Sequence, residues 1–120
     1  MSINLDHTIV PATNKEVSAN FFASIMGLKY HGTHGHFAPV KVNDSLTMDF
    51  DNRVGFESHH YAFKVSEEDF DKIFERIQLS GTTFGSEPYA QSNMKINKRN
   101  GGRGVYFADP DGHSFEILTS

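Results

Sequence analysis

The chain contains no cysteine, which excludes disulfides and thiolate chemistry. It has no run of residues long and apolar enough to span a bilayer. Its opening, Met1-Ser2-Ile3-Asn4-Leu5-Asp6, lacks the basic and apolar regions of a signal peptide. Basic charge is in short supply. Eleven Lys and Arg face 15 Asp and Glu, for a net charge of −4, and that balance argues against general nucleic-acid binding. A cytoplasmic protein is therefore the expectation, with a partner that is neither nucleic acid nor membrane. What the chain has in excess is histidine, seven in 120 residues. Imidazole is the commonest metal ligand, so that excess invites a metal hypothesis without establishing one.

A chain of 120 residues suits one domain, and within it a short pattern occurs twice. The first copy reads Leu5-Asp6-His7-Thr8-Ile9-Val10 and then Thr13 to Gly27. The second reads His59-His60-Tyr61-Ala62-Phe63-Lys64-Val65 and then Ser66 to Gly81. Laying His7 on His60 also lays Thr13 on Ser66, Glu16 on Asp69, Val17 on Phe70 and Phe21 on Phe74. Repeats of this kind constrain a whole fold. Module one covers about residues 1–55 and module two about 56–120. Each is small enough to be marginal alone, so the two are expected to share a core within one chain or across a dimer.

Helix one is expected from about Asn14 to Met26. Thr13-x-x-Glu16 reads as a capping box, Gly27 as its stop, and Val17, Phe21 and Ile25 as its apolar stripe. Helix two is expected from about Glu67 to Leu79, with Ser66 as cap and Phe70, Ile73, Phe74 and Ile77 as its buried face. Strands are expected at Lys29–His31, Phe37–Val42 and Leu46–Asp51 in the first module. In the second they fall near Thr83–Ser86 and at Gly104–Ala108 and Ser114–Leu118, the last two joined by the turn Asp109-Pro110-Asp111-Gly112. Each half thus reads β-α-β-β-β, an α+β fold. The polar segment from Glu87 to Gly102 has no period, and a loop of that length is usually functional or mobile.

Side chains alternate across a strand. If the apolar faces pack on the helices, the opposite faces line a concave surface carrying His7, Asp49, His60 and Glu116. A carboxylate on a partly enclosed strand is costly unless it is paired or bound to metal. Two imidazoles and a carboxylate suit a divalent ion that keeps open positions. Spacing alone does not bring these residues together.

Tyr106-Phe107-Ala108-Asp109-Pro110-Asp111-Gly112-His113-Ser114-Phe115-Glu116 resembles the F-x-D-P-D-G-x-x-x-E ending of the vicinal oxygen chelate superfamily. That superfamily contains glyoxalase I, fosfomycin-resistance thiol transferases, extradiol dioxygenases, methylmalonyl-CoA epimerase and bleomycin-binding proteins. His60-Tyr61-Ala62-Phe63 is similar to the H-Y-A-F of the fosfomycin-resistance enzymes, and Leu5-Asp6-His7 to the opening strand of most members. The resemblance covers nearly the whole chain. It implies paired βαβββ modules whose mixed sheets curl round a metal site, in a homodimer whose subunits complete each other's sites.

By position it implies His7, His60 and Glu116 as ligands of one divalent ion (Fe, Zn, Ni or Mn), and Asp49 as a fourth ligand or an outer hydrogen-bond acceptor. The implied activity is that of a metal-dependent lyase, thiol transferase, isomerase or extradiol dioxygenase. Such an enzyme takes a small substrate through two vicinal oxygens, with Glu116 also placed to shuttle a proton. Relatives that have lost the metal and sequester bleomycin-like drugs supply the alternative. Arg103, at the start of a strand in a basic stretch with Lys95, Lys98 and Arg99, is the candidate for an anionic substrate group, against solvated charge. Tyr106 and Phe107 either wall the cavity or pack the core. His113 reads as a turn residue. His31, His34 and His36 read as a surface loop, and His59 as turned to the helix layer or a strand edge.

Overall fold

In the computed structural model, which describes all 120 residues, the internal repeat takes the form of two compact units, Met1–Glu57 and Ser58–Ser120. In module one, β1 (His7–Ala12) is followed by α1 (Lys15–Met26), β2 (Ala38–Lys41) and β3 (Thr47–Asn52). In module two, β4 (His60–Lys64) is followed by α2 (Glu67–Leu79), a 3-10 turn at Arg99–Gly101, β5 (Gly104–Ala108) and β6 (Ser114–Leu118). The strand orders are β1-β3-β2 and β4-β6-β5, the same topology twice. In each sheet the first strand pairs parallel to the last, and the last pairs antiparallel to the middle one. These are two open mixed sheets of three strands with one helix each, the expected α+β class.

The repeat extends to the register. His7 lies opposite Thr47 and Ile9 opposite Asp49, while His60 lies opposite Ser114 and Ala62 opposite Glu116. Asp49 therefore occupies in module one the place of Glu116 in module two. On the antiparallel side Pro39 faces Asp49, and Tyr106 faces Glu116. Pro11 and Pro39 fall on β1 and β2, the two edges of the first sheet, where strand prolines are tolerated.

The expected fourth strand of each module does not form as regular structure. Lys29–His31 is irregular, and only an isolated bridge joins His34 to Phe37. Gly32 and Gly35, at φ +98° and +61°, turn the chain too sharply for a ladder. Near Thr83–Ser86 there is a single bridge from Gly85 to Tyr106. A Cβ at Gly85 would lie 1.8 Å from the Ala90 carbonyl oxygen, so the chain doubles back on itself there.

The helices differ in how well their faces were legible. In α2, Ser66 Oγ accepts from Asp69 N, and Phe70, Ile73 and Ile77 are buried as expected, while Phe74 is half-buried. In α1 the cap is Asn14 and not Thr13. Its side chain accepts from Glu16 N and Val17 N, both at 3.2 Å. The buried residues are Ser18, Ala19, Phe22, Ala23 and Ile25, while Val17 is 52% exposed. Small residues let this helix lie close to its sheet, so of the expected stripe Ile25 is buried and Phe21 half-buried, while Val17 is exposed. Gly27 ends α1 in the left-handed region, as its position implied.

In module two the aromatic core centres on Phe115. Its ring lies 5.5 Å from Tyr61, 6.5 Å from Phe63 and 5.6 Å from Phe107. Arg103 ties the start of β5 to α2. Its Nε donates to Glu67 at 2.8 Å, its guanidinium pairs with Asp71 at 2.9 Å, and it lies 4.4 Å over the Phe70 ring. The Thr119 hydroxyl and then Arg103 hold the Glu67 carboxyl below the usual carboxylate range.

Two outcomes follow. Phe115→Ala should destabilise the protein by about 3–5 kcal/mol in a denaturant titration, because the void is walled by rings that cannot close on it. Glu67 favours folding while it is ionised, and that contribution disappears as pH falls through its depressed folded-state value. Thermal melts from pH 6 to pH 3 should therefore fall less steeply for Glu67→Gln than for the native chain.

Candidate active site

Module two brings His60 and Glu116 together on the sheet face away from the Phe115 core. His60 opens β4, the edge strand, and Glu116 is in the middle of β6, the central strand. The His60 Nε2 to Glu116 Oε1 distance is 3.1 Å. Their side chains are 48% and 17% exposed, so the pair opens to solvent on the imidazole side. A divalent ion takes histidine nitrogen and carboxylate oxygen at about 2.1 Å each. At the near-right angle of octahedral geometry two such donors lie about 3.0 Å apart. The observed separation fits two adjacent positions on one ion.

Tyr106 backs this pair. Its ring lies 5.9 Å from the His60 ring, and its phenol is close enough to the Glu116 carboxylate to feel that charge. Arg99 Nη1 donates to the same hydroxyl at 3.3 Å, and Arg99 is itself paired with Glu87. Tyr106 is 5% exposed. Burial, and then the Glu116 carboxylate, push its phenol up, against the opposing effect of Arg99. The phenol thus stays protonated and polarised between a cation and a carboxylate. Ser114, opposite His60 in the register, accepts from Gln91 Nε2 at 2.8 Å.

The loop that supplies Glu87, Gln91 and Arg99 is ordered by amide side chains. Asn93 Oδ1 accepts from Ser86 N and Lys95 N, and Asn97 bonds Ser86 O and Arg99 N. Met94 and Asn100 take positive φ within it. Side-chain bonding of this kind replaces the ladder that a strand would have formed.

In module one His7 and Asp49 occupy the corresponding places, yet the shorter aspartate does not become the partner of the histidine. His7 Nδ1 pairs with Asp6 Oδ2 at 2.8 Å. That hydrogen bond, above the charges of Asp6 and Asp49, pushes the imidazole up, with burial opposing. The contact engages Nδ1 of an exposed ring, and its carboxylate partner is exposed as well. No three His, Asp or Glu side chains in the chain are gathered closely enough to hold an ion. The pair that the structure gathers is His60 with Glu116.

Arg103 was the candidate for an anionic group, but its guanidinium is engaged by Glu67 and Asp71. The cation beside the pair is Arg99, which no local spacing singles out because it reaches Tyr106 only through the fold of the loop. His113 directly follows the Asp109–Gly112 turn that its sequence position implied. It is fully buried, and its Nδ1 accepts from His59 N at 2.9 Å. His59 is exposed, with Nδ1 2.8 Å from the Tyr61 hydroxyl. His36 pairs with the buried Asp51 at 3.1 Å, which anchors the histidine-rich loop to β3.

The chain is 45% identical to a solved protein named Oxidase ChaP-H2, with a TM-score of 0.93 over 100% of this chain and 95% of that one. It is 28% identical over 121 residues to a glutathione transferase, FosA, of Serratia marcescens, covering 95% of this chain and 79% of that protein. It is 25% identical over 126 residues to a metallothiol transferase, FosB, of Lysinibacillus sphaericus, covering 97% of this chain and 82% of that protein. A family model matches residues 4–117. With the repeated topology and the register of its polar faces, the match shows that the chain belongs to the Glyoxalase/Bleomycin resistance protein/Dioxygenase superfamily.

Proposed function

We propose that this protein is a metal-dependent oxidase that takes a small substrate through two adjacent oxygens, with dioxygen as the electron acceptor. The observation that carries the reading is the His60–Glu116 pair at 3.1 Å, backed by Tyr106 and Arg99. The 45% identity to a protein named an oxidase supports oxidation over thiol transfer, for which the named relatives reach 28% and 25%. His60, Glu116 and His7 would hold the ion, with His7 supplied by a second copy of the chain in a module-sharing homodimer. Asp49 would serve as an acceptor beside His7. Two His and one carboxylate form the ligand set of non-haem iron oxygenases, which favours Fe(II) over Zn, Ni or Mn.

Bound there, the ion would supply Lewis-acid stabilisation of a substrate oxyanion and, as iron, a route for electrons to dioxygen. The remaining work falls to the protein. The Tyr106 hydroxyl holds Glu116 in one orientation and keeps its proton at neutral pH. The oxygen of Glu116 that faces a bound substrate is placed to accept a hydroxyl proton. Arg99 balances the carboxylate charge through the phenol, and the buried Tyr106 ring keeps water from that side of the pair.

Elemental analysis after iron reconstitution should give about one equivalent per chain, lost in His7→Ala, His60→Ala and Glu116→Ala. Oxygen uptake with a panel of catechols and hydroxyquinones should depend on the same three residues. Metal-free wild-type protein after reconstitution would defeat the reading and favour a drug-binding relative of the bleomycin-resistance kind. Co-expressed His7→Ala and Glu116→Ala chains should regain binding in mixed dimers, where one intact ligand set reforms; no recovery would rule out shared sites. Tyr106→Phe keeps the ring and loses the hydroxyl, and should weaken metal affinity roughly tenfold, with little change in melting temperature.

A further inference from the structure

A buried histidine outside the ligand set holds the strand that presents His60. Strand β4 lies at the edge of its sheet and His60 is its first residue, the position most prone to fray. Three hydrogen bonds staple the residues just before it to the turn that leads into β6. His59 N donates to His113 Nδ1 at 2.9 Å, Ser114 N donates to His59 O at 2.8 Å, and Ser58 Oγ donates to Gly112 O at 2.7 Å.

The His113 bond is part-buried, whereas that of Ser58 is exposed. The ring is 0% exposed and lies 5.1 Å from the His59 ring and 6.2 Å, edge-on, from Tyr61. A nitrogen that accepts from a backbone N–H carries no proton, so the neutral ring bears its hydrogen on Nε2. Asp109 builds the turn that aims this ring. Its Oδ1 accepts from Asp111 N and His113 N at 3.0 and 2.9 Å, and Asp109 N donates to His113 O at 3.0 Å. The staple sits at one end of the β4–β6 pairing. Two residues into each strand, Ala62 lies opposite Glu116. The staple therefore adjoins the end of the ladder at which His60 is presented beside Glu116.

We propose that His113 is a positioning residue for the metal pair, acting through the His59 amide to hold His60 at ligand distance from Glu116. The inference rests on the metal reading above. It also makes a claim about β4 that holds without metal.

The test compares His113→Asn, whose Oδ1 offers an acceptor near the place of Nδ1, with His113→Phe, which keeps the ring and loses the acceptor. Two readouts are taken, cobalt(II) affinity by titration and amide hydrogen exchange of His60–Lys64 in the metal-free protein. H113F should weaken cobalt binding about tenfold or more and speed exchange in β4 relative to β5, and H113N should restore most of both. If H113F does not fold, Ser58→Ala removes the exposed arm of the same staple and should speed β4 exchange to a smaller degree. Unchanged β4 exchange in the folded variants overturns the inference. So does wild-type cobalt affinity in H113F, or a loss in H113F that H113N fails to rescue. A wild-type chain that binds no cobalt, with β4 exchange still dependent on His113, would sink the metal reading and leave the staple standing.

Discussion

Parallel pairing of the first and last strands of each module is the constraint on which the rest depends. Two parallel neighbours cannot be joined by a tight turn and need a crossover. Here a helix and the middle strand occupy that connection. The helix covers one face of the three-stranded sheet and leaves the other for polar side chains. In module two that division puts Phe115 and Ile117 of β6 in the core and Glu116 on the opposite face. The register with β4 then brings His60 alongside. Neither ligand candidate needs an unusual backbone, because ordinary strand alternation presents both.

The two modules share this frame and differ in what fills it. Module two holds a histidine, a glutamate and a phenol on one face, with Arg99 folded over from the loop. Module one holds a histidine and a shorter acid at corresponding register positions, and a proline in the place of the phenol. One methylene in the acid and one ring in the middle strand separate a gathered pair from a histidine that turns to Asp6 instead. The asymmetry also explains why the polar loop lies where it does. Tyr106 needs a partner for its buried hydroxyl, and Arg99 supplies it.

Much of this was legible in the chain. Strong period and strong punctuation marked α2, β5 and β6, and their boundaries agree with the structure. The alternating polar faces placed His60 and Glu116 correctly. Helix α1 misled because its buried face is made of Ser18, Ala19 and Ala23 beside Phe22 and Ile25, and a search for large apolar residues passes over small ones. His113 was obscured by the turn residues before it, although it is in phase with Phe115 and Ile117 and shares their inward face. Arg99 was legible only as one of a basic stretch, since its place beside Tyr106 depends on the fold of a loop held by Asn93 and Asn97. The missing strands after each helix lie where glycine geometry outweighs strand propensity.

The prolines of module one have a consequence for self-association. Pro11 and Pro39 sit on the two outer strands of the first sheet, each removing a donor from the row of amides that an added strand would meet. A chain that tried to extend that sheet would leave one of its own carbonyls unpaired at either border. The outer strands of the second sheet contain no proline. Protection against runaway strand addition is thus built into one half of the repeat by backbone chemistry, whereas in the other half β5 is met by isolated bridges from Gly85 and Asn97.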